Sequence, residues 1–414
     1  MCGDTSRNML MQRRSDACAA VAETIAACRP ALICASPGTA HSGVLEGLRE
    51  LEESGTLAHC EFVNVESDFA AMSVAIGASA AGARTYTLAT SQGLMFMAEA
   101  VHNAAGLGLP IVMTIGHSAT GAPINTWNDH TDSMSMRDAG WIQLYAETNQ
   151  EALDLHVQAF RLAEALSCPV MVCVDGMMLA LDGECVEAPT QAQVDAYLPP
   201  FEPRRAAGVA ATAGPATFME MRYLAHHKQL RALSVIPRLA TEFLARTGRF
   251  SGGLLRTYLT EDADTIVVAL GSVNATVREA VDELRKAGTR IGSVSLCSFR
   301  PFPTGVLRDA LQNAKRVVVL ERSLAVGLGG ILSDGVSKAV AGIALNLYTV
   351  IAGLGGRTIG GASLRQLFDD ASRDELEHIT FLDLNAEVVA SQLERDARRC
   401  AAVPGDRAAA DVAR

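Results

Sequence analysis

The chain has 414 residues, 49% of them hydrophobic and 20% charged, with a net charge of −11 and a pI near 5.4. That length implies two or three domains with sizeable cores, and the acidic balance excludes nucleic acid as the main partner, because phosphate binding needs a basic face. The mean hydropathy of +0.18 is high, yet the sequence holds no uninterrupted apolar run of about 18 residues of the kind that spans a membrane. Buried parallel sheet and extensive subunit contact are the expected uses of so much apolar surface.

Residues 1–15 read as a polar arm without an apolar signal core, so no export signal is expected. The ten cysteines include no C-x-x-C pair. That spacing lacks the ligand pattern of zinc or iron–sulfur sites and fits reduced, buried thiols in the cytoplasm. Residues 16–28 form an Ala-rich helix, 31–34 a short strand, and 35–42 a loop before the helix at 43–53. Next comes a β-rich run, Glu61 to Val65, ending on Glu66. A helix of small residues (68–81), a strand (84–90), the turn Ser91-Gln92-Gly93, another helix and a strand (111–115) follow. Strand–helix alternation with short connections predicts a parallel α/β unit whose ligands bind beyond the carboxyl ends of the strands. Glu66 lies at such an end between apolar segments, where burial of a carboxylate is expected to be costly. A long polar loop (116–138), an amphipathic helix (149–166) and a strand (169–174) close this first α/β unit near residue 185.

Residues 189–214 read as a Pro/Ala/Gly-rich connector and 219–247 as a helix with interspersed basic residues. A second α/β unit begins with a strand at 265–270, the tight turn Gly271-Ser272 and a helix from Val273 to Ala287 capped by Gly288. Strands at 291–296, 316–320 and 344–351 complete it. The expected division is 1–248 (core 16–185, linker and helix 186–248), then 249–396, then a frayed tail at 397–414.

Three first-domain loops, 35–42, the Glu66 turn and 116–130, are expected on one sheet rim, where a small-molecule site would lie. Capping of the following helix is an alternative use of Glu66. His41, His117 and His130 are acid–base candidates or ordinary loop histidines. Gly327-Leu328-Gly329-Gly330 lacks the strand context of a nucleotide loop and reads as a packing turn. Gly77, among alanines, suggests a close helix contact.

The stretch VESDFAAMSVAIGASAAGARTYTLATSQGLMFMAEAVHNAAGLGLPIVM, continued by APINTWNDHTDSMSMRDAGWIQLY, resembles the α subunit of the 2-oxoacid:acceptor oxidoreductases. Pyruvate:ferredoxin oxidoreductase is the best-known member. The later stretches EDADTIVVALGSVNATVREAVDELRKAG, SFRPFP and VVVLERS extend the resemblance to nearly the whole chain. It implies two parallel-sheet α/β domains, a thiamine-diphosphate-binding fold of the pyrimidine type followed by a transketolase-C-terminal-like domain. It also implies oxidative decarboxylation of a 2-oxoacid with coenzyme A to an acyl-CoA. Thiamine diphosphate would be shared with a β subunit, while Mg²⁺ and [4Fe-4S] clusters would sit on partner subunits and no metal on this chain. Ferredoxin-like, γ-type and flavin or NAD subunits are the further partners implied.

On the same resemblance, Glu66 matches the glutamate that hydrogen-bonds the aminopyrimidine ring, and Ser91 and Gln92 are further cofactor-side candidates. Gly38, Thr39 and His41 fall in the substrate loop, with Thr39 on the substrate-contacting threonine. His117 and Ser118 fall on a second substrate segment, where Ser118 replaces a carboxylate-binding arginine. That replacement and the small residues Ala35, Gly38, Ala40, Ser118, Ala119 and Gly121 point to a bulky 2-oxoacid such as phenylglyoxylate. Pyruvate or a branched-chain 2-oxoacid is the alternative substrate, and a non-catalytic scaffold the alternative of another class.

Overall fold

The computed structural model describes residues 17–36, 43–57, 59–176, 186–201 and 214–401. Six parallel strands form the first sheet in the order β5-β6-β4-β3-β1-β2. They are β1 (Leu32–Ala35), β2 (Glu61–Asn64), β3 (Thr85–Ala89), β4 (Ile111–His117), β5 (Ile142–Tyr145) and β6 (Val170–Asp175). The second sheet starts with β7 (Leu255–Tyr258), antiparallel to β9 (Ile291–Leu296), which pairs in parallel with β8 (Thr265–Leu270). The chain then crosses back. β10 (Ser298–Arg300) joins the first sheet, antiparallel to β5. β11 (Arg316–Glu321), β12 (Asn346–Ile351) and β13 (Ile379–Phe381) return to the second sheet, all parallel.

The strand sequences explain their positions. Thr85-Tyr86-Thr87-Leu88-Ala89 and the runs of β6 and β8 are buried at every residue, the pattern of strands covered on both faces. β2 is different. It is an edge strand with Glu61 and Asn64 exposed. The turn that follows is therefore open, and Glu66 is exposed in this chain. The expected burial of Glu66 is corrected on that ground, since an edge strand has no neighbour to wall off its carboxyl end.

Helix α1 (Ala17–Ala27) and α2 (Gly43–Glu53) cover one face of the first sheet near β1. α3 (Asp68–Ala80) starts at Ser67, whose side chain accepts from the Ala70 N–H at 3.2 Å. Glu66 is thus not the cap. α4 (Ser91–Phe96) and α5 (Ala98–Gly106) lead into β4, and the long loop after it holds a short helix, α6 (Thr131–Ser135). α7 (Asn149–Leu166) is capped by Thr148 and buried over most of its length. α8 (Gln191–Tyr197) interrupts the expected connector with a Thr190/Gln193 capping box. α9 (Pro215–Thr247) is one helix of 33 residues.

In the second half, α10 (Val273–Lys286) ends at Gly288 with φ 93°, as the glycine cap predicts. α11 (Thr304–Leu311), α12 (Ile331–Val340) and α13 (Gly361–Ser372) pack on the second sheet. α14 (Ala386–Ala401) carries helix into the segment expected to fray. One apolar cluster unites Met113 and Met171 of the first sheet with Val268 and Val317 of the second, so the two sheets share a core. Gly77 is exposed, and a Cβ there would meet nothing within 4 Å, so the expected close helix contact is not made within this chain.

Candidate functional site

Because β1 to β6 run parallel, the residues at and just after their carboxyl ends share one rim, among them Ser36, Glu66, Ser91, Ser118 and Asp175. β1 and β3 separate β2 from β4. At about 4.8 Å per strand, Glu66 and His117 stand three spacings, roughly 14 Å, apart along the rim. The rim therefore holds two neighbourhoods. Thr39, Gly38 and His41 lie outside the described residues.

The outer neighbourhood is open. Glu66 and Gln92 are exposed, and Phe69 and Phe96, 39% and 62% exposed, put their ring centroids 6.4 Å apart. Beneath them the Asp68 carboxyl lies over Gly93, where a Cβ would come within 2.8 Å of it. Asp68 Oδ1 is buried without a hydrogen-bond partner, and burial pushes this carboxyl above its ordinary range. The contact locks the start of α3, just after Glu66, to the start of α4, which carries Gln92. A free carboxylate, an amide and an aromatic pair on an open surface suit a planar nitrogen heterocycle presented from outside the chain. Thiamine's pyrimidine has that chemistry, and the residues fit it.

Ser91 faces inward instead. Its φ is 42°, its hydroxyl lies 2.6 Å from the Ala119 carbonyl oxygen, and its N–H donates to Asp132 Oδ2 at 3.3 Å. It fixes the turn that carries Gln92.

The inner neighbourhood is buried and polar. Asp132, fully buried, accepts from the backbone N–H groups of Ser91, Ser118 and Ser133 and from His117 Nδ1 at 2.7 Å. His130 Nε2 lies 3.2 Å from Asp175 Oδ1, and Arg322 Nη1 donates to Asp175 Oδ2 at 3.0 Å. Ser272 adds its N–H at 3.0 Å and its hydroxyl to the same oxygen. Burial pushes the Asp175 carboxyl up, but the His130 imidazole and then the Arg322 guanidinium outweigh it and hold the group well below the ordinary range. Burial, the dominant effect, lowers the His130 pKa and so favours its neutral ring. The long loop is ordered between the two sheets. Asp129 Oδ2 accepts the Gly355 N–H at 2.9 Å, and Asn125 Nδ2 donates to the Gly355 carbonyl at 3.0 Å.

The glycine turn at 327–330 contains its own anion. Glu321 accepts from the N–H groups of Ile331, Leu332 and Ser333 at 2.6–3.1 Å and from the Ser333 hydroxyl. A Cβ on Gly330 would fall 2.0 Å from Glu321 Oε1. The α12 N-terminus, the place a phosphate would take, is filled by this carboxylate, which supports the packing-turn reading.

Residues 23–239 match the family model for pyruvate flavodoxin/ferredoxin oxidoreductase, thiamine-diphosphate-binding, and 263–363 that for pyruvate:ferredoxin oxidoreductase core domain II. Pyruvate synthase subunit PorA of Methanosarcina barkeri is 39% identical over 89% of this chain and 96% of its own length. The chain belongs to this oxidoreductase family. It is the α-type subunit of a 2-oxoacid oxidoreductase that works as a multi-subunit enzyme. Ketoisovalerate oxidoreductase subunit VorA of Pyrococcus horikoshii is another relative of the oxidoreductase, 36% identical over 83% of this chain and 90% of its own length. Among solved structures, 2-oxoglutarate:ferredoxin oxidoreductase from Magnetococcus marinus matches with a TM-score of 0.66 at 17% identity. The match covers 86% of this chain and 64% of that one. A split-gene transketolase matches at 0.53 and 15% identity over 86% of this chain and 98% of that one. At such identities both speak for the fold alone. Among the described residues of the oxidoreductase, no helix is long and apolar enough to cross a membrane.

Asp132, Asp175 and Arg322 escaped the sequence reading. Asp175 carries the same signal that singled out Glu66, an acid ending an apolar strand, and could have been found that way. Arg322 and Ser272 approach from another sheet, and no local pattern announces that.

Proposed function

We propose that this subunit catalyses, with its partners, the oxidative decarboxylation of a short 2-oxoacid with coenzyme A, and that Glu66 is its catalytic residue. The free, exposed carboxylate of Glu66 at the rim carries the reading. Thiamine diphosphate, when bound, supplies the carbon nucleophile that attacks the oxo group. Glu66 would hold a proton against the aminopyrimidine ring, Gln92 and the Phe69–Phe96 pair would offer it further contacts, and the Asp68–Gly93 contact ties together the helix starts next to them. A β subunit that carries the diphosphate and Mg²⁺ would cover this open surface and remove water from around Glu66. Iron–sulfur clusters on partner subunits would take the electrons. Glu66→Gln in the assembled enzyme is expected to cut kcat by roughly a thousandfold while leaving subunit assembly and Tm unchanged. Turnover close to wild type would refute the assignment.

For the substrate, two of the small residues that suggested extra room, Ala35 and Ala119, are buried, which favours a shorter acid, while Gly121 is exposed. The named relatives, pyruvate synthases and a ketoisovalerate oxidoreductase, point the same way, to pyruvate or a branched 2-oxoacid. Ser118, partly buried and without charge, still speaks for the aromatic alternative. Steady-state kcat/KM across pyruvate, 2-oxoisovalerate, phenylglyoxylate and 2-oxoglutarate decides between them. Pyruvate or 2-oxoisovalerate is expected to lead, and a lead for phenylglyoxylate would reverse the order.

A further inference from the structure

We infer that His117, His130 and Asp175 form a buried divalent-cation site, of the zinc class, at the seam between the two sheets. The sequence reading expected no metal on this chain, and the cysteines indeed take no part. Backbone register supplies the first two ligands. His117 and Asp175 are the terminal Cα partners of the parallel β4–β6 ladder, so their side chains leave neighbouring strands on the same face. The loop folds the third onto them: the His117 and His130 ring centroids are 4.6 Å apart. One donor atom from each of the three residues lies within 4.8 Å of the other two.

The surrounding groups leave His117 Nε2 without a partner, while His130 Nε2 and Asp175 Oδ1 bond to each other, a bond that an ion would replace. Asp132 accepts from His117 Nδ1, so Nε2 is the ring nitrogen left for an ion. His117 Nε2 is buried, in a residue 3% exposed, and no hydrogen bond reaches it. A carboxylate behind a ligating imidazole is the usual support of a metal-bound histidine. On Asp175, Arg322 and Ser272 occupy Oδ2 and leave Oδ1 toward His130. A tetrahedral ion with bonds of about 2.1 Å needs donors about 3.4 Å apart. The His130–Asp175 pair already stands at 3.2 Å, and the His117 ring, anchored at Nδ1, has to swing inward.

Binding shifts the His130 proton from Nε2 to Nδ1, so two neutral nitrogens and one carboxylate meet the ion. Two imidazoles and a carboxylate without thiolate suit zinc and the neighbouring divalent transition ions, with zinc as the probe, and calcium or magnesium would want more oxygen. Through Asp175, the ion would tie the first rim to Arg322 and Ser272 of the second sheet. It is a structural clasp, separate from Glu66, and stands or falls independently of the substrate reading.

The test uses the assembled enzyme grown with zinc and dialysed without chelator. Elemental analysis is expected to find one zinc per copy of this chain beyond what the variants hold, and zinc-edge X-ray absorption should report imidazole and oxygen neighbours for that ion. His117→Asn keeps a donor for Asp132 and removes the ligand nitrogen; His130→Gln removes the second. Each is expected to lower that zinc at least tenfold. Micromolar zinc should raise the Tm of the stripped wild type and of neither variant. Should one variant fail to assemble, the other and the wild-type zinc content decide. Wild type without zinc, or zinc retained undiminished in the variants as an adventitious ion only, overturns the inference.

Discussion

His156 shows how one buried side chain can set an acid limit on the fold. Its Nδ1 faces the Ala152 carbonyl at 2.6 Å, and a carbonyl only accepts, so Nδ1 carries the proton. Nε2 then accepts from Thr114 Oγ1 at 2.6 Å, and Thr114 in turn accepts from the Tyr86 hydroxyl. A second ring proton would break this relay. Burial brings the His156 pKa from 6.5 down to about 4. Between those values the unfolded chain binds a proton that the folded chain refuses. The folded state therefore has its full stability above about pH 6.5 and loses about 3 kcal/mol as the pH falls to 4. Denaturation midpoints measured across that window should fall with pH, and more gently for His156→Gln. Burial acts on thiols in the opposite direction: Cys28 and Cys168 are pushed up to about 12. At pH 8 both should resist iodoacetamide in the native protein and react only after denaturant is added, as mass spectrometry would show.

At the scale of elements, the Glu321 turn offers the sharpest test. Gly330 has an ordinary φ of −75°, so alanine strains no backbone there, and the overlap with the Glu321 carboxyl and the Ser333 hydroxyl opposes it. Gly330→Ala is expected to cost about 2–3 kcal/mol, read from chemical denaturation. The same substitution at exposed Gly77, where nothing lies within 4 Å, should be neutral or slightly stabilising in the unassembled chain. Long apolar runs such as 111–115, 170–174 and 265–270 were legible as strands because central parallel strands are buried on both faces. β5, β10 and β13 were not, at four, three and three residues, because so few residues show no period and their pairing is long-range. Glu66 was legible as the end of a strand, while its exposure was not, because strand order decides which strand lies at the edge.

The two sheets behave as one molecule, held by an apolar core and by buried ion pairs across the seam. Glu147, 3% exposed, takes Arg278 and the Ser295 hydroxyl from the second sheet's elements. Glu151 similarly takes Arg256, and Asp154 takes Arg249 at 2.9 Å. Arg278→Ala strands the buried Glu147 charge and should cost about 3 kcal/mol. With an unfolding entropy of about 2.1 cal/mol/K per residue, that lowers Tm by roughly 3–4 °C, which calorimetry resolves. A shift under about 1 °C would mean that water relieves Glu147. None of these seams was visible in the sequence, which showed two α/β units and nothing of how they meet.

The return of β10 to the first sheet has a consequence for synthesis. β5 ends at residue 145 and its outer neighbour begins only at residue 298. A ribosome adding about 5–20 residues per second therefore leaves that edge of the nascent sheet uncovered for roughly 8–30 s. Throughout that interval residues 142–145 offer unpaired backbone groups to any extended segment nearby. Production of this subunit should accordingly depend on chaperone supply more than its final fold suggests, and slow codons between the two strands should lower the soluble yield.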